Sequence, residues 1–275
     1  MKSAPFEYVR PSTVVEASAA LAQDGVAASA IAGGQSLLPM LNLRVAIVDL
    51  VVDISRLEEL KAVSESPGGL AIGALTTHAA IEDGKVPDLF RGLMRRVAGQ
   101  ISYRAVRNYG TIGGSVAFAD PAAYWPPCLI ALGARVRVRG PAGARSEPVA
   151  DFVRGAYSTS LSAGEIVLGF DIPRPSAPLR WGFAKVARKS GAFAESIALV
   201  TVRGGETSVV LAGASLHARL LPAASKEVAG SNGRDDVLRA AIASDLDAIA
   251  STADAYQRRL HTATILKAVR EMRAQ

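Results

Sequence analysis

Short apolar runs alternate with capped helical segments through the N-terminal part of the chain. Hydroxyl residues precede the predicted helices: Thr13 has a glutamate three residues later, as in a capping box, and Ser36 stands before LLPMLNL. The run IVDLVVDI at 47–54 predicts a strand, and a Pro-Gly-Gly turn at 67–69 favours a hairpin. The predicted helices are 14–22, 37–43, 79–83, 87–98 and 121–132, and the predicted strands are 27–32, 47–54, the hairpin 60–74, 135–139 and 165–172. Strands and helices thus alternate in short units, and the longer strand–helix–strand module does not repeat.

The C-terminal part has a different pattern, in which three apolar strands are followed by two helices. A proline-containing segment, RPSAP at 174–178, separates it from the preceding region and favours a domain boundary there. Two glycines at 204–205 favour a hairpin between the second and third strands. The predicted strands are 182–188, 196–202 and 207–214, and the predicted helices are 235–243 and 253–272. We expect domains at 1–175 and 176–275, with subdomains of about 1–56 and 57–175 in the first and a three-stranded antiparallel sheet backed by helices in the second.

Two glycine pairs are the main candidates for binding chemistry. One lies in AGGQSLLPMLNLR at 32–44 and the other in YGTIGGS at 109–115, and each has a serine within two residues. Glycine allows positive φ, and successive backbone amides in such a turn form a concave nest that binds anions. Paired glycines also occur in ordinary tight turns, so either pair alone predicts only a turn. Two nests without lysine or arginine would hold a diphosphate with backbone amides, and the first would lie at the N-terminus of a short helix.

Composition excludes several kinds of site. Hydrophobic residues make up 49% of the chain, and no apolar run approaches the roughly 20 residues that span a bilayer. The segment MKSAPFEYVRPST lacks the apolar core of a signal peptide, so a cytoplasmic location is expected. Cys128 is the only cysteine, which excludes an internal disulfide, a zinc–thiolate site and an iron–sulfur cluster held by this chain alone. His78, His217 and His261 are far apart in sequence, so a metal enzyme is disfavoured.

The basic character of the chain favours a protein partner over nucleic acid. The formal net charge is +6, but the arginines are scattered and aromatic residues amount to 5%, too few for a surface that stacks bases. A basic face suits an acidic protein partner. Neither glycine pair has the G-x-G-x-x-G spacing of a Rossmann turn, and neither is followed by the Gly-Lys-Ser/Thr of a P-loop.

Three ordered motifs carry a family resemblance. They are AGGQSLLPMLNLR from Ala32, IGALTTHAAIE from Ile72 and RNYGTIGGSVAFADPAA from Arg107, and the segments EIVLGFDIP, FAKVARKSG and AYQRRLHTATILKA extend the match into the C-terminal part. Together they closely resemble the FAD-binding medium subunit of the molybdenum hydroxylases, the family of xanthine dehydrogenase and carbon monoxide dehydrogenase. The resemblance implies a vanillyl-alcohol-oxidase-like (PCMH-type) FAD-binding fold of two α+β subdomains that sandwich the cofactor. A C-terminal domain of sheet and helices would cover the flavin ring.

The resemblance also implies which residues hold FAD. Because no histidine or cysteine lies at either glycine pair, the FAD is expected to be bound non-covalently. The diphosphate would lie between the two glycine pairs, Lys185 would stabilise negative charge on the reduced flavin, and Leu168 and Phe193 would lie near its ring. The implied cofactor-binding residues are Ala32, Gly33, Gly34, Gln35, Ser36, Leu37, Thr76, Gly110, Thr111, Gly113, Gly114, Ser115, Tyr124, Leu168, Lys185 and Phe193. No residue is assigned a catalytic or metal-binding role, and His78 is expected to be a structural or solvent-facing residue.

Three departures from the family pattern bear on the site. Relatives commonly have an acidic residue near the position of Tyr124 that binds a cofactor hydroxyl, where this chain has AAYWPP. Many have an acidic residue at the position of Ala192, and its absence is expected to alter the flavin potential or acceptor access. A Pro-Val-Arg-like segment of relatives is replaced by LHARLLPA, which leaves Arg219 without an assigned role.

The implied function is electron transfer within a larger complex. The chain would take electrons from iron–sulfur (2Fe-2S) clusters on a small partner subunit and pass them to NAD, a quinone or oxygen. A large molybdenum subunit would hydroxylate the substrate, in a dimer of heterotrimers without nucleic acid or a membrane span. Two alternatives stay open: a stand-alone flavin reductase or dehydrogenase of the same fold, and a flavin-free interaction subunit. The first predicts turnover by the isolated chain, and the second predicts no flavin absorbance.

Overall fold

The computed structural model describes residues 2–213, 216–230 and 235–275. Its strands, in chain order, are β1 (Glu7–Val9), β2 (Ala28–Ile31), β3 (Leu50–Asp53), β4 (Val63–Ser66), β5 (Gly69–Gly73), β6 (Arg135–Gly140), β7 (Gly143–Pro148), β8 (Val153–Gly155), β9 (Ser158–Thr159), β10 (Ile166–Pro173), β11 (Arg180–Ala187), β12 (Ala194–Arg203), β13 (Glu206–Gly213) and β14 (Leu216–Leu220). Its helices are α1 (Val14–Leu21), α2 (Leu37–Asn42), α3 (His78–Glu82), α4 (Leu93–Ala98), α5 (Arg104–Tyr109), α6 (Ile112–Phe118), α7 (Trp125–Ala131), α8 (Val149–Phe152), α9 (Pro222–Gly230), α10 (Asp235–Ile249) and α11 (Ala255–Arg273), with a 3-10 turn at Glu58–Leu60.

Three parallel strands in the order β1-β3-β2 form the first sheet. The predicted start of α1 is confirmed, because Thr13 Oγ1 accepts from the backbone amide of Glu16 at 3.1 Å. Ile31 at the end of β2 lies opposite Asp53 at the end of β3, since parallel strands end at one edge of the sheet. The chain leaves β2 at this edge and enters the first glycine pair. Ligands commonly bind at the carboxyl ends of parallel strands.

The second sheet has five antiparallel strands in the order β4-β5-β10-β6-β7. The predicted hairpin at 60–74 is confirmed as β4 and β5, with Ser66 opposite Gly69. The central strand β10 has an irregularity between Val167 and Gly169. Gly169 has φ 157°, and a β-carbon there would lie 2.2 Å from the backbone oxygen of Ile72, so only glycine fits. Helices α3, α4, α6 and α7 bury their apolar faces in the same core as β5 and β10.

The C-terminal sheet has four antiparallel strands, β11-β12-β13-β14, which is one more than predicted. The predicted hairpin at 204–205 is confirmed, with Arg203 of β12 opposite Glu206 of β13. The unpredicted strand β14 includes His217 and Arg219, so it lacks the apolar run by which the other strands were predicted. The third predicted strand extended to Ala214, which lies outside the described residues.

Three helices cover this sheet, of which α9 was not predicted. The helix α11 begins with a capping box formed by Asp254 and Gln257. It crosses β11 so closely that a β-carbon on Gly182 would lie 1.8 Å from the backbone oxygen of Ala268. Asp245 of α10 is buried and accepts hydrogen bonds from two backbone amides at the start of α9, at 3.1 and 2.8 Å.

Local hydrogen bonds explain where predicted helix boundaries were wrong. The helix predicted from residue 87 begins only at Leu93, because the carboxylate of Asp88 binds the amides of Phe90 and Gly92 in a turn. The helix predicted from residue 121 begins at Trp125, after a similar turn at Asp120. Ser36 makes no capping hydrogen bond to α2, contrary to the prediction. The short helix α5 was not predicted at all.

The main core extends across residue 175, the expected domain boundary. Phe183 and Val210 of the C-terminal sheet share one buried cluster with Trp125 and Leu129 of α7. The hydroxyl of Thr201 also donates to a backbone oxygen of α7 at 2.8 Å. The division at residue 175, and the subdivision near residue 56, stay predictions. Among the helices of the described ranges, none is long and apolar enough to cross a membrane.

Candidate functional site

The two glycine motifs meet in space. Gly33 follows β2, and its Cα faces the backbone of Tyr109 at the end of α5. A β-carbon on Gly33 would lie 1.8 Å from the backbone oxygen of Tyr109 and 3.1 Å from the nitrogen of Gly110. Only glycine permits this approach. This contact is consistent with the prediction that both motifs belong to one site.

The first motif presents a row of unpaired backbone amides. Gly34 has φ 70°, the left-handed conformation expected of the turn. Within the described parts of the chain, the amides of residues 33–37 have no hydrogen-bond acceptor. The side chain of Gln35 donates to the backbone oxygen of Gly33 at 3.0 Å, which braces the turn. Five successive amide donors form a partial positive charge that suits an anion such as a diphosphate.

The second motif does not form the predicted nest. Gly113 and Gly114 lie in the first turn of α6, and neither has a positive φ. The amide of Gly113 donates to the backbone oxygen of Ala74 at 2.9 Å, and that of Gly114 donates to Thr111 Oγ1 at 3.0 Å. The prediction of free amides at this pair is therefore wrong. The glycine at 113 is needed for packing instead, since a β-carbon there would lie 2.5 Å from that of Ala74.

A buried hydroxyl lies beside this second motif. Thr76 is 7% exposed, and its backbone oxygen accepts from the amide of Ile112 at 3.0 Å. Its Oγ1 is buried and has no hydrogen-bond partner among the described residues. An unsatisfied buried hydroxyl costs about 1–3 kcal/mol. A polar ligand atom at this point would remove that cost.

Leu168 joins the glycine motifs through the bulge of β10. Its backbone oxygen accepts from the amide of Ala74 at 3.0 Å, next to the contact between Ala74 and Gly113. Its half-buried side chain packs against the same small apolar cluster as Ala32. The structure therefore brings one apolar side chain and both motifs to the same region.

His78 has a structural contact in this region. It is buried, and its Nδ1 accepts from Trp125 Nε1 at 3.0 Å. Burial, with a smaller contribution from the charge of Arg107, lowers the pKa of His78 to about 4. The imidazole is therefore neutral at physiological pH, with its proton on Nε2, because an indole N–H can only donate.

Lys185 and Tyr124 form a second group. Lys185 Nζ donates to Tyr124 Oη at 3.1 Å and to the backbone oxygen of Gln100 at 3.2 Å. Burial, followed by the charge of Arg96, lowers the pKa of Lys185. Burial raises the pKa of Tyr124 to about 12. Lys185 and Tyr124 were each predicted to bind the cofactor, and no sequence pattern predicted their contact.

Phe193 lies at the protein surface. Its side chain is 73% exposed, on the segment between β11 and β12. This segment contacts Tyr103, whose hydroxyl donates to the backbone oxygen of Ser190 at 3.4 Å and whose ring lies against Gly191. Because Tyr103 precedes α5 and Tyr109 ends it, the helix connects the Phe193 segment with the first glycine motif.

Sequence reasoning missed Arg107, which holds the segment between α4 and α5. Its guanidinium donates to the carboxylate of Glu82 at 2.7 and 3.0 Å and to the backbone oxygens of Ile101 and Ser102. The adjacent Gln100 supplies the carbonyl that binds Lys185. An arginine in RNYGTIGGS gave no sign of this role, because its partners are distant in sequence or belong to the backbone. The described residues contain no group of three potential metal ligands.

Comparisons with known proteins agree on one family. A family model described as the FAD binding domain in molybdopterin dehydrogenase matches residues 4–175. The glyceraldehyde dehydrogenase medium chain of Sulfolobus acidocaldarius is 36% identical over 239 residues, which cover 85% of this chain and 84% of that one. The carbon monoxide dehydrogenase medium chain of Hydrogenophaga pseudoflava is 35% identical over 204 residues, which cover 74% of this chain and 71% of that one.

Solved structures show the same fold over the whole chain. Carbon monoxide dehydrogenase from Hydrogenophaga pseudoflava, in a form that lacks the Mo-pyranopterin moiety of its cofactor, contains a chain with a TM-score of 0.91 and 31% identity. The match covers 100% of this chain and 99% of that one. Quinoline 2-oxidoreductase from Pseudomonas putida 86 contains a chain with a TM-score of 0.85 and 31% identity. This match covers 98% of this chain and 99% of that one. The predicted α+β fold with a C-terminal sheet-and-helix domain is confirmed.

Proposed function

The chain belongs to the family of FAD-binding domains of the molybdopterin dehydrogenases, and we propose on this basis that it is the FAD-carrying electron-transfer subunit of a molybdenum hydroxylase complex. It is thus a subunit of an oxidoreductase, as its medium-chain relatives are. The observation that carries the proposal is the row of unpaired amides at 33–37, held against the second motif by Gly33. A nucleotide diphosphate has the charge and the acceptors that such a row binds.

The residues of the site fit FAD when each is matched to a part of the cofactor. The amides of 33–37 would hold the diphosphate, and the orphan hydroxyl of Thr76 would donate to a polar atom of FAD. The exposed Cα of Gly114 would allow close approach of the cofactor where a side chain would obstruct it. Leu168 and Ala32 would supply the apolar wall beside the ring. The remaining predicted residues, Gln35, Ser36, Leu37, Gly110, Thr111 and Ser115, belong to the same two segments.

The chain would deliver charge stabilisation rather than acid–base chemistry. FAD supplies the conversion between one-electron and two-electron transfer when it is bound. Lys185 would favour negative charge on the reduced cofactor. No nucleophile paired with a base is part of the proposed site, and His78 is held neutral by Trp125 and by burial.

Electrons would reach the chain from another subunit. Its single cysteine, Cys128, is buried, and burial raises the pKa of the thiol far above its usual range, so it is no cluster ligand. The proposed partners are therefore a small iron–sulfur subunit and a large molybdenum subunit, in a dimer of heterotrimers. The acceptor would be NAD, a quinone or oxygen.

The substitution Gly114→Asp tests the cofactor site. Gly114 is exposed at the third position of α6, where an aspartate suits the helix dipole, and the nearest atom to a new β-carbon is Thr111 Oγ1 at 3.0 Å. We expect the fold to survive and FAD to be lost, because the carboxylate would repel the diphosphate. The matched control is Gly114→Asn, which has the same shape without the charge and should retain more FAD. The measurement is the flavin content of the complex purified with its co-purifying subunits.

Other results would favour other functions. Equal flavin content in wild type, Gly114→Asp and Gly114→Asn would contradict this placement of the diphosphate. A wild-type complex without flavin absorbance, even after addition of FAD, would contradict the proposed function itself. Full turnover by the isolated chain would favour a stand-alone flavoenzyme of the same fold.

A further inference from the structure

Lys185 and Tyr124 have hydrogen-bonding capacity that the described residues do not use. An ammonium carries three N–H donors, and Lys185 directs one to Tyr124 Oη at 3.1 Å and one to the backbone oxygen of Gln100 at 3.2 Å. The third has no acceptor in the described ranges, and neither has the O–H of Tyr124, whose oxygen accepts from Lys185. The pair therefore presents two donors, one of them charged, on atoms 3.1 Å apart.

Tyr124 is held in place by packing. It is 5% exposed, and its ring centroid lies 6.1 Å from that of Phe183 on β11. Lys185 Nζ lies 5.2 Å from the same ring centroid, so the aromatic face also attracts the ammonium. Burial raises the pKa of the phenol to about 12, so the hydroxyl keeps its proton at neutral pH. Tyr124 can therefore orient the ammonium without neutralising it.

The surroundings of Lys185 leave its charge uncompensated. No ion pair joins Lys185 to a carboxylate within the described part of the chain, and the charged group that acts on it is Arg96 next to it on α4. The segment AAYWPP, which contains Tyr124, has no acidic residue. A partly buried cation without a counter-ion favours an anionic ligand beside it.

We propose that Tyr124 is a positioning residue that orients Lys185, and that the two free donors of the pair bind FAD more tightly in its reduced, anionic state than in its oxidised state. This inference rests on the proposed function. Because Tyr124 is neutral, the full positive charge of Lys185 is available to the cofactor. The midpoint potential of the bound flavin is raised as a result.

A double-mutant cycle on the purified complex tests whether Tyr124 acts through Lys185. The variants are Tyr124→Phe, which keeps the buried ring, Lys185→Met, and both together, and the measurement is the midpoint potential of the bound flavin. Each single change should reduce the preference for reduced over oxidised FAD by about tenfold, which is about 30 mV for a two-electron couple. In the Lys185→Met background, Tyr124→Phe should have little further effect, because coupled groups are not additive. Tyr256→Phe, on the exposed face of α11, is the matched control.

A second measurement needs no flavin. In the full chain without FAD, the rate of acetylation of Lys185 is compared with that of the exposed Lys267 by mass spectrometry. Tyr124→Phe removes one acceptor of the ammonium, so the free amine should form more readily and the relative rate should rise several-fold. A variant that unfolds would also raise the labelling of Lys185, and it would be recognised by the loss of its circular dichroism signal.

The outcomes separate this inference from the proposed function. Equal potentials in wild type and Tyr124→Phe, with flavin bound in both, would refute the positioning role and leave the proposed function standing. Additive effects in the double variant would show that Tyr124 acts independently of Lys185, which also refutes it. A wild-type complex that binds no flavin would remove the proposed function and this inference together.

Discussion

Replacing Gly33 by alanine should separate the two glycine motifs. The new β-carbon would lie 1.8 Å from the backbone oxygen of Tyr109, which is about 1.5 Å short of the roughly 3.3 Å at which a carbon and a carbonyl oxygen come into close contact. Both sides of the clash are backbone, so no side-chain rotation can relieve it. Overpacking typically costs about 1–3 kcal/mol, and we expect the upper end of that range here. For a chain of this size each kcal/mol lowers the Tm by about 2–4 °C.

Thermal unfolding and flavin content measure the two consequences. Gly33→Ala should lower the Tm by about 6–12 °C and should sharply reduce FAD retention, because the amides of 33–37 would move with the turn. Gly230→Ala is the control, since a β-carbon there meets no atom within 4 Å. A Gly33→Ala variant with the stability and flavin content of the wild type would refute the contact between the motifs.

Two further substitutions test the contacts of His78 and Asp245. His78→Gln keeps an acceptor for the Trp125 indole but cannot titrate. In the wild type the pKa of His78 is lowered to about 4, so roughly 3 kcal/mol of unfolding free energy should be lost as the pH falls from 7 to 4. This loss arises because the unfolded chain binds the proton at a higher pH than the folded chain does. Urea denaturation at several pH values should show that the unfolding free energy changes less steeply with pH in the variant than in the wild type. Equal pH dependence in the two proteins would contradict the burial of His78. Asp245→Ala removes the acceptor of two α9 amides and should cost about 1–3 kcal/mol in urea denaturation. Asp247→Ala, which breaks an exposed ion pair, should cost less than about 1 kcal/mol, and equal costs would argue against the Asp245 contacts.

Elements defined by local chemistry could be predicted from the sequence. The start of α1 followed from Thr13, and both hairpins followed from glycine turns at 67–69 and 204–205. Elements without an apolar run were missed, as β14 was, because its strand pairing rather than its composition defines it. Helix starts near Asp88 and Asp120 were placed too early, because carboxylates there bind backbone amides in turns.

In the candidate site, local conformation could be predicted from the sequence, but contacts between distant segments could not. The first glycine pair matched its prediction, because a turn with a positive φ depends on its own residues. The amides of the second pair are bonded to Ala74 and Thr111, and the first of these partners is far away in sequence. No pattern within YGTIGGS could have shown that. The contact of Lys185 with Tyr124 and Gln100 likewise joins three segments that only the fold brings together.

The shared core on both sides of residue 175 has a consequence for how the chain folds and is degraded. Phe183 and Val210 are buried against Trp125 and Leu129, so removal of either part would expose apolar surface on the other. Regions that bury one another's apolar surface unfold together. The regions on the two sides of the segment at 174–178 are therefore expected to unfold together. During synthesis, most of the C-terminal sheet must therefore leave the ribosome before the hydrophobic core of the N-terminal part can form.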